Sequence, residues 1–442
     1  MKVKLSLLIL FVCTLRLQAQ DSLRFTLQQA VDYTVQNSIA IKNSQIDERI
    51  AKQKVNELTG LGTPQIAGSA ELNDFLELPT SFIPAAFFGG EPGTFAAIKF
   101  GQQYTASAGI TASQLLFDGS YLAGLKASKT YLDLNRKISQ QTKVERVVAV
   151  SKAYNKVLVY QEQVNSFEAN LVRIKKLRDD TKAMLDAGMV EQLDYDQYQI
   201  LYNNLNVQKQ SFERGVQLGY IYLKMEMGMD VALPLALTDK LDESKSGEIS
   251  LPEKADPQKR IEFDILQTSE RLQEIDLKRY RSSYLPSLAA YGSLSANASR
   301  DEFNIFNTNY RWYPTAIIGA RLTIPIWDGL QKNSQIQQAK LRVERAKNDL
   351  KQFEQFASSD YSSAKTALAN TIASLESSKK NLELAKEVVR VTKIKYDNGI
   401  GSSFDLVSSE SSLKEAQTSY YNSLYESIVS KIEVDRALGN IK

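Results

Sequence analysis

A chain of 442 residues with 43% hydrophobic and 24% charged residues has the composition of an ordered protein, long enough for two or three ordinary domains or one elongated one. It holds no histidine and a single cysteine, Cys13, which excludes Ser-His and Cys-His catalysis, histidine metal ligands, disulfides and any ordinary near-neutral pH switch. The formal net charge of +3 comes from Lys2, Lys4 and Arg16, so the rest is balanced and nothing calls for nucleic acid or a polyanion.

Residues 1–19 read as a secretory signal: basic Lys2 and Lys4, an apolar core from Leu5 to Leu15, and the cleavage site Leu17-Gln18-Ala19. The run is too short to span a membrane and Arg16 interrupts its end. A lipidated Cys13 is the rival reading, weakened by Val12 where a small residue is wanted. No later stretch is long and apolar enough for a transmembrane helix.

From residue 20 to 230 runs the first half of a duplicated pattern. A helix is predicted over Thr26 to Leu58, then two alternating segments around Ile66–Leu72 and Tyr104–Leu116, separated by a loop rich in Gly, Pro and Phe. A very long helical run follows from about Ser120 to Asp186, with apolar positions at three-four spacing that include Val150, Tyr154, Val157, Phe167, Ile174 and Leu177. At 1.5 Å per residue such a run is roughly 100 Å long. A turn at Gly188 and a shorter helix ending near Gly228 close the half, and residues 231–256 read as an irregular connector.

Residues 257–442 repeat the order. A helix over Pro257 to Ser283 precedes two alternating segments, the first from Leu288 to Ala296 and the second from Ala316 to Ile324. A long run from Leu330 to Asp397, a turn at Gly399 and a helix ending near Gly439 complete it. Gly188 and Gly399, Asp194 and Asp405, and Gly228 and Gly439 all stand 211 apart, while the strand-to-helix junctions Asp118-Gly119 and Asp328-Gly329 are offset by 210.

The alternating segments place Ile66, Ala70, Leu72, Ala108, Ile110, Leu294, Ile318 and Leu322 on one face. Small neutral residues such as Ser69, Ser107, Thr111, Ser293 and Thr315 fall on the other. Ten or so residues is the length a tilted strand needs to cross hydrocarbon, and Phe117 and Trp327 at one end with Tyr310, Trp312 and Tyr313 at the other resemble aromatic girdles. Four strands cannot close a barrel and lipid tolerates no open edge, so copies must associate. A soluble sheet with one wet face is the alternative.

The order of these motifs resembles the outer-membrane efflux proteins, the TolC-like outer membrane factors. The carriers are the duplicated strand–strand–long helix–turn–helix order, the Asp-Gly junctions, the helix ends at Gly228 and Gly439, and the opening "TLQQAVDYTVQNS". The resemblance implies an α+β membrane protein: a homotrimer with a twelve-stranded β-barrel continued by an α-helical periplasmic barrel. It implies no cofactor, no resident metal and no catalysis. Its implied partners are further copies, outer-membrane lipid, a periplasmic adaptor and an inner-membrane pump.

On that resemblance the two turns lie at the far mouth, with Gly188, Met189, Gly399 and Ile400 as adaptor-contacting tips and Asp405, Asp194, Tyr396 and Ser408 around the periplasmic aperture. Ser408 stands where relatives carry a second aspartate, and Gly401 where an arginine is common, which puts an arginine latch between copies in doubt. A local alternative stays open for both aspartates: each fits the first turn of a helix, where the macrodipole favours negative charge. Met189 and Ile400 could equally be hairpin packing. The functional expectation is the exit channel for small molecules such as drugs. A type I protein-secretion channel and a secreted coiled-coil protein are the alternatives. Acid pairs such as Asp179-Asp180 lie on a charged helix face without pocket-forming loops, which argues against a carboxylate enzyme.

Overall fold

The structure, a computed structural model, describes residues 23–241, 251–307 and 309–441. The expected signal and residues 242–250 of the connector lie outside them. By its internal contacts the chain forms two units, each drawing on both halves of the duplication. The first contains the segments up to Glu48, Asn135–Leu266 and from Asp349 onward. The second contains Arg49–Leu134 and Gln267–Asn348.

The opening helix is two helices, α1 (Leu27–Asn37) and α2 (Ile39–Gly60). Thr26 starts α1 with a capping box, its hydroxyl accepting from the Gln29 amide at 3.3 Å while the Gln29 side chain accepts from the Thr26 amide at 2.9 Å. The single helix expected over Thr26 to Leu58 breaks at Ser38, whose extended ψ of 128° leaves helical space. The second half breaks at the matching place. A 3-10 turn over Pro257–Lys259 and an extended Arg260 precede α5 (Ile261–Ser282).

Both breaks have the same packing cause. A Cβ at Gly228 would sit 2.6 Å from the Asn37 carbonyl, and one at Gly439 would sit 2.5 Å from the Lys259 carbonyl. Each glycine, at φ +70°, ends a helix and lets it abut the interrupted backbone of its own half.

The long runs form as expected: α3 (Gly119–Asp186) with α4 (Gln192–Met227), and α6 (Gln331–Asp397) with α7 (Ser403–Ala437). Within the first unit the apolar stripe of each hairpin is its core. Phe167, Ile174 and Leu177 meet Tyr198, Leu201 and Leu205 in one, and Leu382 and Val389 meet Leu413, Tyr420, Leu424 and Ile428 in the other. The seam between α3 and α7 is polar instead: Lys152–Glu433, Gln163–Asn422 at 3.4 Å, Asn170–Gln417 at 2.5 Å, and Arg173 paired with Glu410 at 2.6 Å.

Part of the connector is ordered. Strand β1 (Leu23–Phe25) pairs in parallel with β6 (Leu235–Leu237), because Leu233, Leu235 and Leu237 seat on the cluster around Tyr154, Leu223 and Met227. The expectation of an irregular 231–256 is corrected to that extent.

In the second unit a four-stranded antiparallel sheet runs β2 (Gln65–Asp74), β5 (Tyr104–Phe117), β7 (Ser287–Arg300), β8 (Tyr313–Thr323). Its register puts Ile66, Ala112, Gly292 and Ile318 in one row and Ile110, Leu294 and Ala316 in the next, with Glu71, Ser107 and Asn297 opposite. The expected division of faces therefore holds across all four strands. Ile318 is 91% exposed, and Leu294 and Ile110 are exposed too, so the middle of that apolar face is uncovered among the described residues, while Ile305 and Trp312 cover Ala106 and Ala298 at one end. Strands β2 and β8 are free edges among the described residues. Trp312 departs from the girdle expectation by packing, half-buried, on Ala106, Ala298 and Ile305. The loop between β2 and β5 is also not structureless. It forms a hairpin, β3 (Thr80–Pro84) with β4 (Phe95–Lys99), closed through a 3-10 turn and two positive-φ glycines, Gly89 and Gly93.

Candidate functional site: the paired hairpin turns

Both long helices end in the same way. At the first turn the Gly188 amide donates to Leu185 and the Met189 amide to Met184, each at 2.9 Å. At the second the Gly399 amide donates to Tyr396 at 2.9 Å and the Ile400 amide to Lys395 at 3.0 Å. These are Schellman closures, and they need the φ of +74° and +71° that glycine adopts without strain. In such a closure the residue after the glycine commonly folds back onto its helix. Here Met189 is 75% and Ile400 78% exposed, so neither is spent on hairpin packing.

A second exposed pair escaped the sequence reading. Leu193 and Phe404, again 211 apart, are exposed in the first turn of α4 and α7. The signal was there in the repeat offset, but a leucine and a phenylalanine at helix starts read as core until exposure is known.

Asp194 and Asp405 are both capping groups. Asp194 accepts from the Glu191 amide at 3.2 Å. Asp405 accepts from the Ser402 hydroxyl at 2.8 Å, while the Asp405 amide donates back to that hydroxyl at 3.1 Å. Their surroundings differ. Asp405 and Ser408 are exposed to solvent. Asp194 is half-buried and accepts from the hydroxyl of buried Ser403, so it ties the first turn of α4 to the first turn of α7. A recess of about 500 Å³ lies there, bordered by Met184, Asp194, Tyr396, Gly399 and Ser403. Tyr396 stands at its edge, 6.4 Å edge-on from Tyr198, whose phenol burial pushes well above its usual range.

Position 401 is filled by backbone. A Cβ on Gly401 would come within 3.1 Å of the Tyr396 amide and 3.2 Å of the Lys395 side chain. Carboxylates dominate the region: between Met184 and Tyr198 stand Asp186, Glu191, Asp194 and Asp196 with no base. The repeat also duplicates an ion pair one turn before each glycine, Lys182–Asp186 at 2.7 Å and Lys393–Asp397 at 2.8 Å.

The junction residues lie in the other unit. Asp118 caps α3 by accepting from the Tyr121 amide at 2.9 Å, and Asp328 caps α6 by accepting from Lys332 at 3.0 Å. Their glycines differ in role. Gly119 leaves room for Leu285, which a Cβ would meet at 2.8 Å. Gly329 takes a positive φ, followed by Leu330 at +70°. Among the described residues no cluster of carboxylates could hold a metal ion.

A family model described as "Outer membrane efflux protein" matches residues 266–440. The chain is 23% identical over 339 residues to the outer membrane protein TolC of Vibrio cholerae, covering 76% of this chain and 77% of that one. The chain is thus similar to the outer membrane efflux proteins, with the family model matching its second half. The fold agrees. The crystal structure of CusC is superimposed with a TM-score of 0.75 at 16% identity, covering 93% of this chain and 92% of that one. The Campylobacter jejuni outer membrane channel CmeC gives 0.74 at 17% identity, covering 93% and 85%. CusC forms a transmembrane channel and CmeC is an outer membrane channel, and at these identities the likeness shows a shared fold.

Proposed function

We propose that the chain is the exit duct of a tripartite efflux system. Three copies join β8 of one to β2 of the next and close a barrel through the outer membrane. The long hairpins continue it into the periplasm, and small molecules such as drugs arrive from an inner-membrane pump through a periplasmic adaptor. The observation that carries this reading is the sheet: four strands in register, one apolar face left exposed, and two free edges of opposite direction. In lipid such edges are satisfied only by closure. The chain performs no chemistry; cargo moves by diffusion along the lumen.

The turns serve two roles in this proposal. Met189 and Ile400, with Leu193 and Phe404 beside them, offer apolar knobs to the adaptor. Asp405, exposed beyond its cap, contributes one carboxylate per copy to the aperture and favours cations. Asp194 holds the two hairpins of a chain together, and release of its bond to Ser403 accompanies opening.

Planar-bilayer recording tests the aperture. The variant Asp405→Asn keeps an acceptor for the cap and removes the charge, so cation preference is expected to fall while the multimer persists. Unchanged selectivity would leave Asp405 as a helix cap only. For the tips, Met189→Asp with Ile400→Asp is expected to preserve conductance but abolish cross-linking to the adaptor. Retained cross-linking would remove the tips from that role.

A further inference from the structure

The hairpin β3–β4 carries an apolar surface that no other described residue covers. The pairings Phe82–Ala97 and Pro84–Phe95 put two phenylalanines on one face, and Phe87 and Phe88 extend from the connecting turn. Phe87 is 79% exposed, and Phe82, Phe88 and Phe95 are each exposed by about two-thirds or more. The opposite face, with Ile83 and Ile98, is half-covered. A monomeric surface seldom leaves so many large side chains contiguous and wet without a partner.

Topology says what lies next to it. Strand β2 leads into the hairpin and β5 leads out, so the hairpin stands at the end of the sheet where the β7–β8 connection also lies. Strand β2 is one free edge and β8 the other. When β8 of one copy pairs antiparallel with β2 of the next, the hairpin of the second copy adjoins the β7–β8 connection of the first. That connection carries its own exposed aromatics, Phe303 and Phe306, the latter 79% exposed. Their rings are 6.3 Å apart, and Phe303 is anchored edge-on to Tyr104 at 5.4 Å. A lipid surface fits less well, because Lys99 is the one base between Phe75 and Gln103, against Glu77 and Glu91.

We infer that the β3–β4 hairpin docks on the β7–β8 connection of a second copy of this chain, forming an aromatic collar of Phe82, Phe87 and Phe88 against Phe303 and Phe306 around the end of the barrel. The collar rests on the barrel closure proposed above and goes beyond it. Strand pairing alone joins the copies in the sheet; the collar braces them outside it and narrows the outer mouth.

The test uses the full chain, whose only cysteine, Cys13, precedes the expected mature start. Native mass in detergent is measured first and reports closure by itself. Phe87→Cys and Phe306→Cys are then combined and treated with a short bis-maleimide. The expected result is loss of the monomer band on a denaturing gel in favour of covalent multimers, with each single variant remaining monomeric. A normal multimer whose double variant cross-links no better than the singles overturns the collar and spares the barrel. Cross-linking by Phe87→Cys alone overturns it too, since the hairpins then meet one another on the axis. Quenching of a fluorophore at Phe87→Cys by spin-labelled lipid gives the membrane as occupant instead. Absence of any multimer removes both readings. As a second measurement, Phe87→Ser with Phe88→Ser is expected to lower the temperature at which the multimer dissociates; no shift counts against the collar.

Discussion

Single side chains in this protein do double work, and conservative substitutions can separate the two parts. Asp405 caps α7 and presents a charge. Replacing it with alanine is expected to cost about 1 kcal/mol of stability at the cap, whereas asparagine retains most of that and loses only the charge. Thermal denaturation of the two variants beside wild type measures the difference, and equal losses would contradict the capping geometry. Glu433 and Glu262 give a pH dependence of defined sign. Burial raises both carboxyls, but Lys152 and Arg436 around Glu433, and Arg260 beside Glu262, outweigh it and hold both below the ordinary value of 4.5. Their contribution is therefore complete above that ordinary value and is lost as pH falls through the depressed folded one. Glu433→Gln is expected to lower stability near neutrality by roughly 1 kcal/mol and to flatten the acid limb of the stability curve. An unchanged acid limb would mean the seam pair contributes nothing.

At the scale of elements, the glycines that look alike in sequence separate into two kinds. Gly188 and Gly399 end helices into open space, so alanine there meets only the left-handed backbone penalty, about 1–2 kcal/mol. Gly228 and Gly439 carry the same φ, and a Cβ there would also meet backbone at 2.6 and 2.5 Å, so alanine there is expected to cost roughly 2–5 kcal/mol. Chemical denaturation of Gly188→Ala and Gly228→Ala tests the ordering, and equal costs would refute the close approach. This contrast marks what was legible in the sequence. The spacing of 211 and the three-four stripes revealed the hairpins, their turns and the repeat, because periodicity and punctuation are local. What a glycine touches depends on a distant segment, so the breaks at Ser38 and Arg260 were invisible. The β3–β4 hairpin was hidden for another reason: its Gly, Pro and Phe content is that of a loop, and only the pairing of Phe82 with Ala97 makes it a strand. At the turns the sequence named Asp194, but its bond to Ser403 joins residues 209 apart in the chain, which no spacing announces.

On the proposed function, the duplicated chain meets two different solvents with two kinds of surface. The hairpins of the first unit bury apolar stripes between their own helices and meet each other through a seam that is polar along α3 and α7 and apolar where Leu406 joins the first hairpin's core near the turns. The sheet of the second unit does the reverse, showing Ile110, Leu294 and Ile318 outward while small polar residues line the other face. That inversion is what a barrel wall in lipid requires, and it makes assembly a condition of the fold rather than an addition to it. The most direct measurement is the native mass of the protein extracted from outer membranes in mild detergent and of the same chain in detergent-free buffer. A homotrimer in detergent, with no stable species in buffer alone, is the predicted result. A monodisperse monomer that stays folded in water would contradict the account.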